Sequence, residues 1–188
     1  MTTSTLTQPI ELSASVRLEP ILAEHQEELY HLMRRIYPAA YAHLWKDGGA
    51  QYVEQLYRTD NFYQELDLPC SLYYFVNYEG ERVGILRLVQ HQNVHGEYDE
   101  QSTKLQRIYL APELQGKGIG KLLIAWCSTQ FLQQEGDRIW LEVMETESKA
   151  LGFYQRVGFE IVDNFEFDAE MMYPHLRGMY LMEKAYRG

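Results

Sequence analysis

The segment with the most chemical content is Ile108-Tyr-Leu-Ala-Pro-Glu-Leu-Gln-Gly-Lys-Gly-Ile-Gly-Lys-Leu-Leu123. Its first residues alternate as a strand does, its middle is rich in glycine, and its end opens an apolar-periodic helix. The first turn of a helix presents N–H groups without intrahelical partners at the positive end of the helix dipole. Glycines beside that turn let a ligand come close to the backbone. Strand, turn and helix N-terminus together form an anion site suited to phosphate or pyrophosphate.

Two well-known phosphate motifs fail here. A Walker A loop requires Gly-x4-Gly-Lys-Ser/Thr; Leu122 follows Gly120-Lys121, and Gln115 stands where the first glycine belongs. A dinucleotide fingerprint requires Gly-x-Gly-x-x-Gly; Gly116 and Gly118 fit, but Lys121 takes the third glycine's place. What remains is Gln-x-x-Gly-x-Gly at Gln115, Gly118 and Gly120. With Tyr109-Leu-Ala-Pro112 before it and Leu122-Leu123 after it, this block resembles the acyl-CoA pyrophosphate loop of the GNAT superfamily of N-acetyltransferases. A second block, Ala150-x-x-Phe153-Tyr154-x-x-x-Gly158-Phe159, is similar to that family's next motif. The two blocks together span residues 104–160, with room between them for one helix and one strand.

The resemblance implies a fold and a co-substrate. The fold is α/β: a GNAT-like mixed, mostly antiparallel central sheet flanked by helices, with a splayed cleft between two central strands. Acetyl-CoA would lie in that cleft, between the strand ending at Leu110 and the strand ending near Val143, and no metal is implied. Backbone groups of Ile108 and Leu110 would pair with the pantetheine arm as an added strand does. The N–H groups of Gln115, Gly116, Lys117, Gly118, Ile119, Gly120 and Lys121 would hold the pyrophosphate. The Lys117 and Lys121 side chains either meet the nucleotide phosphates or stay solvated. Glu147 stands where the family often has an asparagine on the cofactor; its carboxylate faces either cofactor or substrate.

The implied reaction is direct attack of an amine on the thioester in a ternary complex, with CoA leaving as a thiolate. A primary amine titrates near about 10.4 and a thiol near about 8.5, so the first needs a base and the second gains from an acid. By family position Tyr154 is the acid beside the sulfur; otherwise it packs against the cofactor without moving a proton. Many family members carry a glutamate at the start of the strand before the loop, where this chain has Lys104. Glu142 is then the candidate base, or else a salt-bridged strand residue.

The acceptor is sought in the N-terminal helices and last strands. Tyr30, Tyr37, Tyr41, Tyr52, Tyr57, Tyr63, Tyr73 and Tyr74 crowd the first, and Asp163, Glu166, Asp168 and Glu170 mark the second. Aromatic faces with carboxylates can hold an ammonium, and the layout is similar to bacterial polyamine acetyltransferases. The same residues equally pack helices and keep a surface soluble. A peptide acceptor and a non-catalytic acyl-CoA sensor are the other readings. The expected partners are therefore a small amine, with no nucleic acid and no membrane, and a monomer or homodimer.

The elements that would position these residues follow from periodicity. Residues 1–15 read as a flexible tail and 16–188 as a single domain. Val16-Arg17-Leu18 alternates up to Pro20. Leu29, Leu32, Met33 and Ile36 mark a helix from Glu24 to Tyr37, closed by Pro38. Ala50–Arg58 gives a second helix and Asn61–Leu66 a third, capped by Asp60. Ser71–Asn77 and Arg82–Val89 make a hairpin about Glu79-Gly80. His91–Ser102 reads as an exposed loop, within which His91 and His95 are weak metal candidates. Lys104–Leu110 is a strand. A helix from Gly118, with Ile119, Leu122, Leu123 and Trp126 inward, runs to Gly136. Ile139–Val143 is a strand, Ala150–Val157 a helix, and Phe159–Phe167 and Met179–Met182 the last strands.

Composition sets the outer limits. The chain has 188 residues, 46% hydrophobic and 23% charged, which is ordinary for a folded domain. Its net charge of −10 argues against nucleic acid, whose binding draws on clustered positive charge. Cys70 and Cys127 are too few for a disulfide framework or a four-thiolate metal site. No secretory or membrane-spanning pattern is visible, so a cytoplasmic protein is expected.

Overall fold

In the computed structural model, residues 8–188 are described. Ile10–Glu11 (β1) pairs antiparallel with Val16–Pro20 (β2). Residues 1–7 of the expected tail lie outside the described residues, and its later part supplies β1. Helices Gln26–Tyr41 (α1), Ala50–Tyr57 (α2) and Asp60–Asp67 (α3) follow. Strands Ser71–Tyr78 (β3), Glu81–Gln92 (β4) and Tyr98–Leu110 (β5) form a continuous antiparallel meander. Then come Ile119–Phe131 (α4), Arg138–Met144 (β6), Ser148–Arg156 (α5), Glu160–Glu166 (β7) and Gly178–Ala185 (β8).

The strands make one eight-stranded sheet in the order β1-β2-β3-β4-β5-β6-β8-β7. Every neighbouring pair is antiparallel except β5 and β6, which run parallel. Side chains alternate across the sheet, so adjacent residues of β3 report opposite faces. The Phe75 ring meets His25 at the entry to α1, with centroids 5.6 Å apart. The Tyr74 ring meets Trp126 of α4 at 6.0 Å. Thus α1 and α4 cover opposite faces, and both faces are apolar: Phe75, Val76, Ile85, Leu86 and Leu88 are all fully buried. At the β3–β4 turn Glu79 and Gly80 both take positive φ, 52° and 90°, the twist a two-residue hairpin requires.

Four expectations are corrected. Pro38 does not close α1, which runs one turn further and bonds the Ala42 N–H to the Pro38 carbonyl. The lost proline N–H is offset because the extra turn brings the Tyr41 ring to 5.1 Å from Tyr37 and, like Tyr37, edge-on to Tyr109. The cap of α3 is the Thr59 hydroxyl, which accepts from the Asn61 N–H, rather than Asp60. Most of the expected loop 91–102 is strand: β4 extends to Gln92 and β5 begins at Tyr98, which are register partners. Its polarity reflects an exposed sheet extension, where both faces meet water. Finally, α4 stops at Phe131, before Gly136, and buries Ile124 and Cys127 beside Ile119 and Leu123, while Leu122 and Trp126 are only partly covered.

Candidate active site

The sheet opens between its two parallel strands. Ser102, Thr103 and Lys104 pair with Arg138, Ile139 and Trp140. Beyond these positions β6 continues its pairing only with β8, and β5 continues only with β4. Among the described residues, the β6-facing backbone edge of β5 from Leu105 to Leu110 therefore faces no strand. The register between β4 and β5 also slips here: Arg87 pairs with Arg107 and Leu88 with Leu105, leaving Gln106 as an extra residue. Such a bulge bends a strand and re-aims the side chains beyond it.

The chain leaves β5 into the glycine-rich turn. Gly118 caps α4 with φ of 78°, and Gly116 has φ of 84°, backbone that L side chains rarely adopt. A side chain added at either glycine would meet nothing within 4 Å, so this side of the turn is open. Leu122 N–H makes the first bond back into the turn, to the Gly118 carbonyl. The N–H groups of Ile119, Gly120 and Lys121 are thus left for a ligand. Gly120 has a different reason: a Cβ there would stand 3.2 Å from the Phe153 ring, so glycine lets α4 pack against α5. The Lys117 ammonium lies over the Tyr78 ring, 4.7 Å from its centroid, beside the turn.

A cleft with a cavity of about 280 Å³ occupies the splay. Tyr154, Glu142, Glu147 and Ile108 line it, with Arg107 and Tyr109 opposite α1 and α2. Leu110 and residues 115–121 do not line it; Gly120 of the turn packs on Phe153, the residue before Tyr154. Desolvation in the cleft, with the nearby Tyr41, holds the Tyr154 phenol well above its ordinary value. It keeps its proton at neutral pH and can give it to a stronger base. Glu142 Oε1 lies 3.1 Å from Lys104 Nζ, and that ammonium stands 4.4 Å over the Trp140 ring. Glu147 Oε1 lies 2.9 Å from His43 Nε2.

Around Tyr109 the phenols crowd. Desolvation raises Tyr109 well above its usual value, and the neighbouring Tyr52, Tyr37, Tyr57 and Tyr41 push the same way. The Tyr37 hydroxyl accepts from Trp45 Nε1 at 3.0 Å, which leaves its own proton to donate. Of the tyrosines singled out in the sequence, Tyr37, Tyr41 and Tyr52 line the cleft; Tyr30, Tyr57, Tyr63, Tyr73 and Tyr74 do not. Asp163 and Glu166 lie on exposed β7, and neither they nor Asp168 and Glu170 line it.

Sequence reasoning missed His43, Arg107, Arg87 and Glu65. Arg107 and Arg87 carried a signal: each is a cation in the interior of a β-rich run, followed by an apolar residue. His43 carried none, because its meeting with Glu147 depends on a short 3-10 turn following α1. Among the described residues no group of three or more His, Cys, Asp and Glu is placed to hold a metal. No helix among them is long and apolar enough to cross a membrane.

The cleft and turn fit an acyl-CoA. The free edge of β5 offers an arm of amides the groups they pair with, and the open turn offers a pyrophosphate its N–H groups. Comparison with known proteins points the same way. A family model described as "Acetyltransferase (GNAT) family" matches residues 27–159. An N-acetyltransferase from the pepI 3' region of Lactobacillus delbrueckii subsp. lactis is 29% identical over 58% of this chain and 63% of its own length. A spermine/spermidine N(1)-acetyltransferase of Bacillus subtilis is 32% identical over 54% of this chain and 65% of its own. A ribosomal-protein alanine N-acetyltransferase of Haemophilus influenzae is 33% identical over 58% and 76%. The chain thus spans a little under two thirds of the first two relatives. Among solved structures, the PaiA N-acetyltransferase of Thermoplasma acidophilum, in complex with coenzyme A, superposes with a TM-score of 0.67 at 20% identity, over 92% of this chain and 99% of that one.

Proposed function

The chain belongs to the GNAT family of acetyltransferases, and from that premise we propose that it moves an acetyl group from acetyl-CoA to a primary amine of a small molecule. The observation that carries this reading is the meeting of the unpaired β5 edge, the open glycine turn and the Tyr154 phenol around one cleft. The co-substrate supplies an activated thioester carbonyl and a thiolate leaving group.

The chain's own residues supply the rest. Backbone of Ile108 and Leu110 holds the amide arm, and the N–H groups of Ile119, Gly120 and Lys121 hold the pyrophosphate, helped by the Lys117 and Lys121 side chains. Contrary to the expectation from the sequence, the N–H groups of Gln115 and Lys117 are taken by the Pro112 and Leu114 carbonyls. Binding through backbone amides explains how an acidic chain accepts a polyanion. Tyr154 donates its proton to the departing sulfur. Glu142 takes the proton of the incoming ammonium, and Lys104 fixes the orientation of that carboxylate. Glu147, held by His43, faces the same cavity from the far wall.

A second reading, transfer to the amino terminus of a protein, is favoured by the likeness to the ribosomal-protein alanine acetyltransferase. The polyamine reading draws on the spermine/spermidine relative. The deciding experiment is release of CoA thiol from acetyl-CoA with a panel of amino acids, polyamines, aminoglycosides and N-terminal peptides. The expected result is saturable, amine-dependent release with at least one small amine. Release with peptides alone would favour the second reading. Tight acetyl-CoA binding with no release for any amine would leave a sensor.

A further inference from the structure

Two buried guanidinium groups stand side by side, and one of them, Arg107, reaches the wall of the cleft. Arg87 on β4 and Arg107 on β5 are register partners, and their side chains are 4% and 5% exposed. Like charges directly opposed on a sheet repel, and burial removes the water that would screen them. Among the described residues, one carboxylate answers both. Glu65, on α3, accepts from Arg107 Nη1 at 2.6 Å and Nη2 at 2.8 Å, and Arg87 Nη1 lies 3.4 Å away. One carboxylate against two guanidiniums leaves an excess of one positive charge.

Donors are also left over. Arg87 Nε and the hydroxyls of Tyr57 and Tyr73 are buried without a hydrogen-bond partner among the described residues. The guanidinium of Arg107 stands 5.8 Å from the Tyr57 ring centroid, and that of Arg87 stands 5.7 Å from the Tyr73 centroid. These donors lie beneath the wall and outside the cleft; a surplus of buried positive charge calls for an anion where the cluster opens, at Arg107. Arg107 itself lines the cleft, next to the Tyr52 and Tyr109 side chains. The carboxylates of Glu142 and Glu147 belong to the same cavity.

The geometry points to an acceptor that is both amine and acid: its carboxylate rests against Arg107 on the cleft wall, beside Tyr52, and its amine reaches Tyr154 and Glu142. This rests on the acetyl-transfer reading above and names its substrate class, an amino carboxylate. A polyamine would instead place cation against cation at this wall. The acidic residues Asp163 and Glu166, which would draw it, lie on outer β7, away from the cleft.

The test compares free amino acids, each against its own carboxamide, with spermidine alongside, using the whole protein and acetyl-CoA. The expected kcat/KM is about tenfold or more in favour of the carboxylate, expressed mainly in KM, as a charge-assisted contact would give. Arg107→Met brings the ratio close to one, and Arg107→Lys keeps part of it. The ratio compares two substrates on one sample, so a partly unfolded variant still reports it. Tyr52→Phe, which keeps the packing on the cleft wall, lowers the ratio by a smaller factor and serves should Arg107→Met not fold. Carboxamides or spermidine acetylated as well as carboxylates would overturn the inference while leaving acetyl transfer intact. A ratio unmoved by both Arg107→Met and Tyr52→Phe would also overturn it. Absence of turnover with every amine would remove acetyl transfer itself.

Discussion

The two ends of the cleft are built from different materials. The end toward the glycine turn is backbone: an unpaired strand edge, left-handed glycines and the first N–H groups of α4. The end toward α1, α2 and α3 is side chain: phenols from several elements and the Arg87–Glu65–Arg107 cluster. Backbone recognition suits a ligand that is always the same, since any sequence with the right φ values will do. Side-chain recognition suits a partner that differs from protein to protein. The contrast predicts that the first end tolerates changes of side chain but not of backbone, and that the second end does the reverse.

The largest effect should come from removing the carboxylate that holds the second end together. Glu65→Ala leaves two buried guanidiniums facing each other and should lower stability by about 3–5 kcal/mol, read by urea unfolding. A loss under about 1 kcal/mol would mean that water reaches the cluster. Next comes the backbone end. Gly118→Val forces a branched residue to a φ of 78° and should cost about 1–3 kcal/mol. Acetyl-CoA affinity should fall with it, and calorimetric titration measures that directly. Lys117→Ala, by contrast, changes a side chain at the same end and should weaken acetyl-CoA by no more than about threefold, the effect of an exposed charge. Should Lys117→Ala outweigh Gly118→Val in that titration, the backbone account of this end fails.

Alkaline pH probes the phenols of the second end. Desolvation pushes Tyr41 up to about 12, and on the opposite, α4 face of the sheet it pushes Tyr74 and Cys127 up to about 12 as well. Tyr57 and Tyr109 are raised further. A raised acid keeps its proton in the fold while the unfolded chain loses it. Their contribution to stability is therefore complete below the unfolded values, near about 9 for the thiol and about 10 for phenols, and declines as pH climbs above them. Unfolding midpoints should be flat across neutrality and drop steeply above about pH 10. Phenolate absorbance should appear together with unfolding. Phenols titrating near their ordinary value in an intact fold would show that the cluster is wet.

This division also explains what was legible in the sequence. The run from Gln115 to Gly120 marked the turn because the φ demands of Gly116 and Gly118 and a helix start are written in adjacent residues. The hairpin at Glu79-Gly80 was legible for the same reason. Periodicity placed the strands and helices closely, and failed where polarity stood for exposure rather than for a loop, between His91 and Ser102. The Arg87–Arg107 pairing depends on strand register, and Glu65 comes from a helix before both strands. His43 reaches Glu147 only because α1 runs through Pro38. Contacts of this kind are set by the fold, and no spacing along the chain announces them.

The central claim is that the cleft transfers an acetyl group rather than only holding acyl-CoA, with Tyr154 giving a proton to the leaving sulfur. Substituting Tyr154→Phe keeps the ring and removes the proton, so its kcat and its acetyl-CoA affinity, measured side by side, test the claim most directly. The account predicts a fall in kcat of about a hundredfold or more, as loss of a positioned acid gives, with affinity changed less than about threefold. An unchanged kcat, or a loss of affinity equal to the loss of rate, would contradict it.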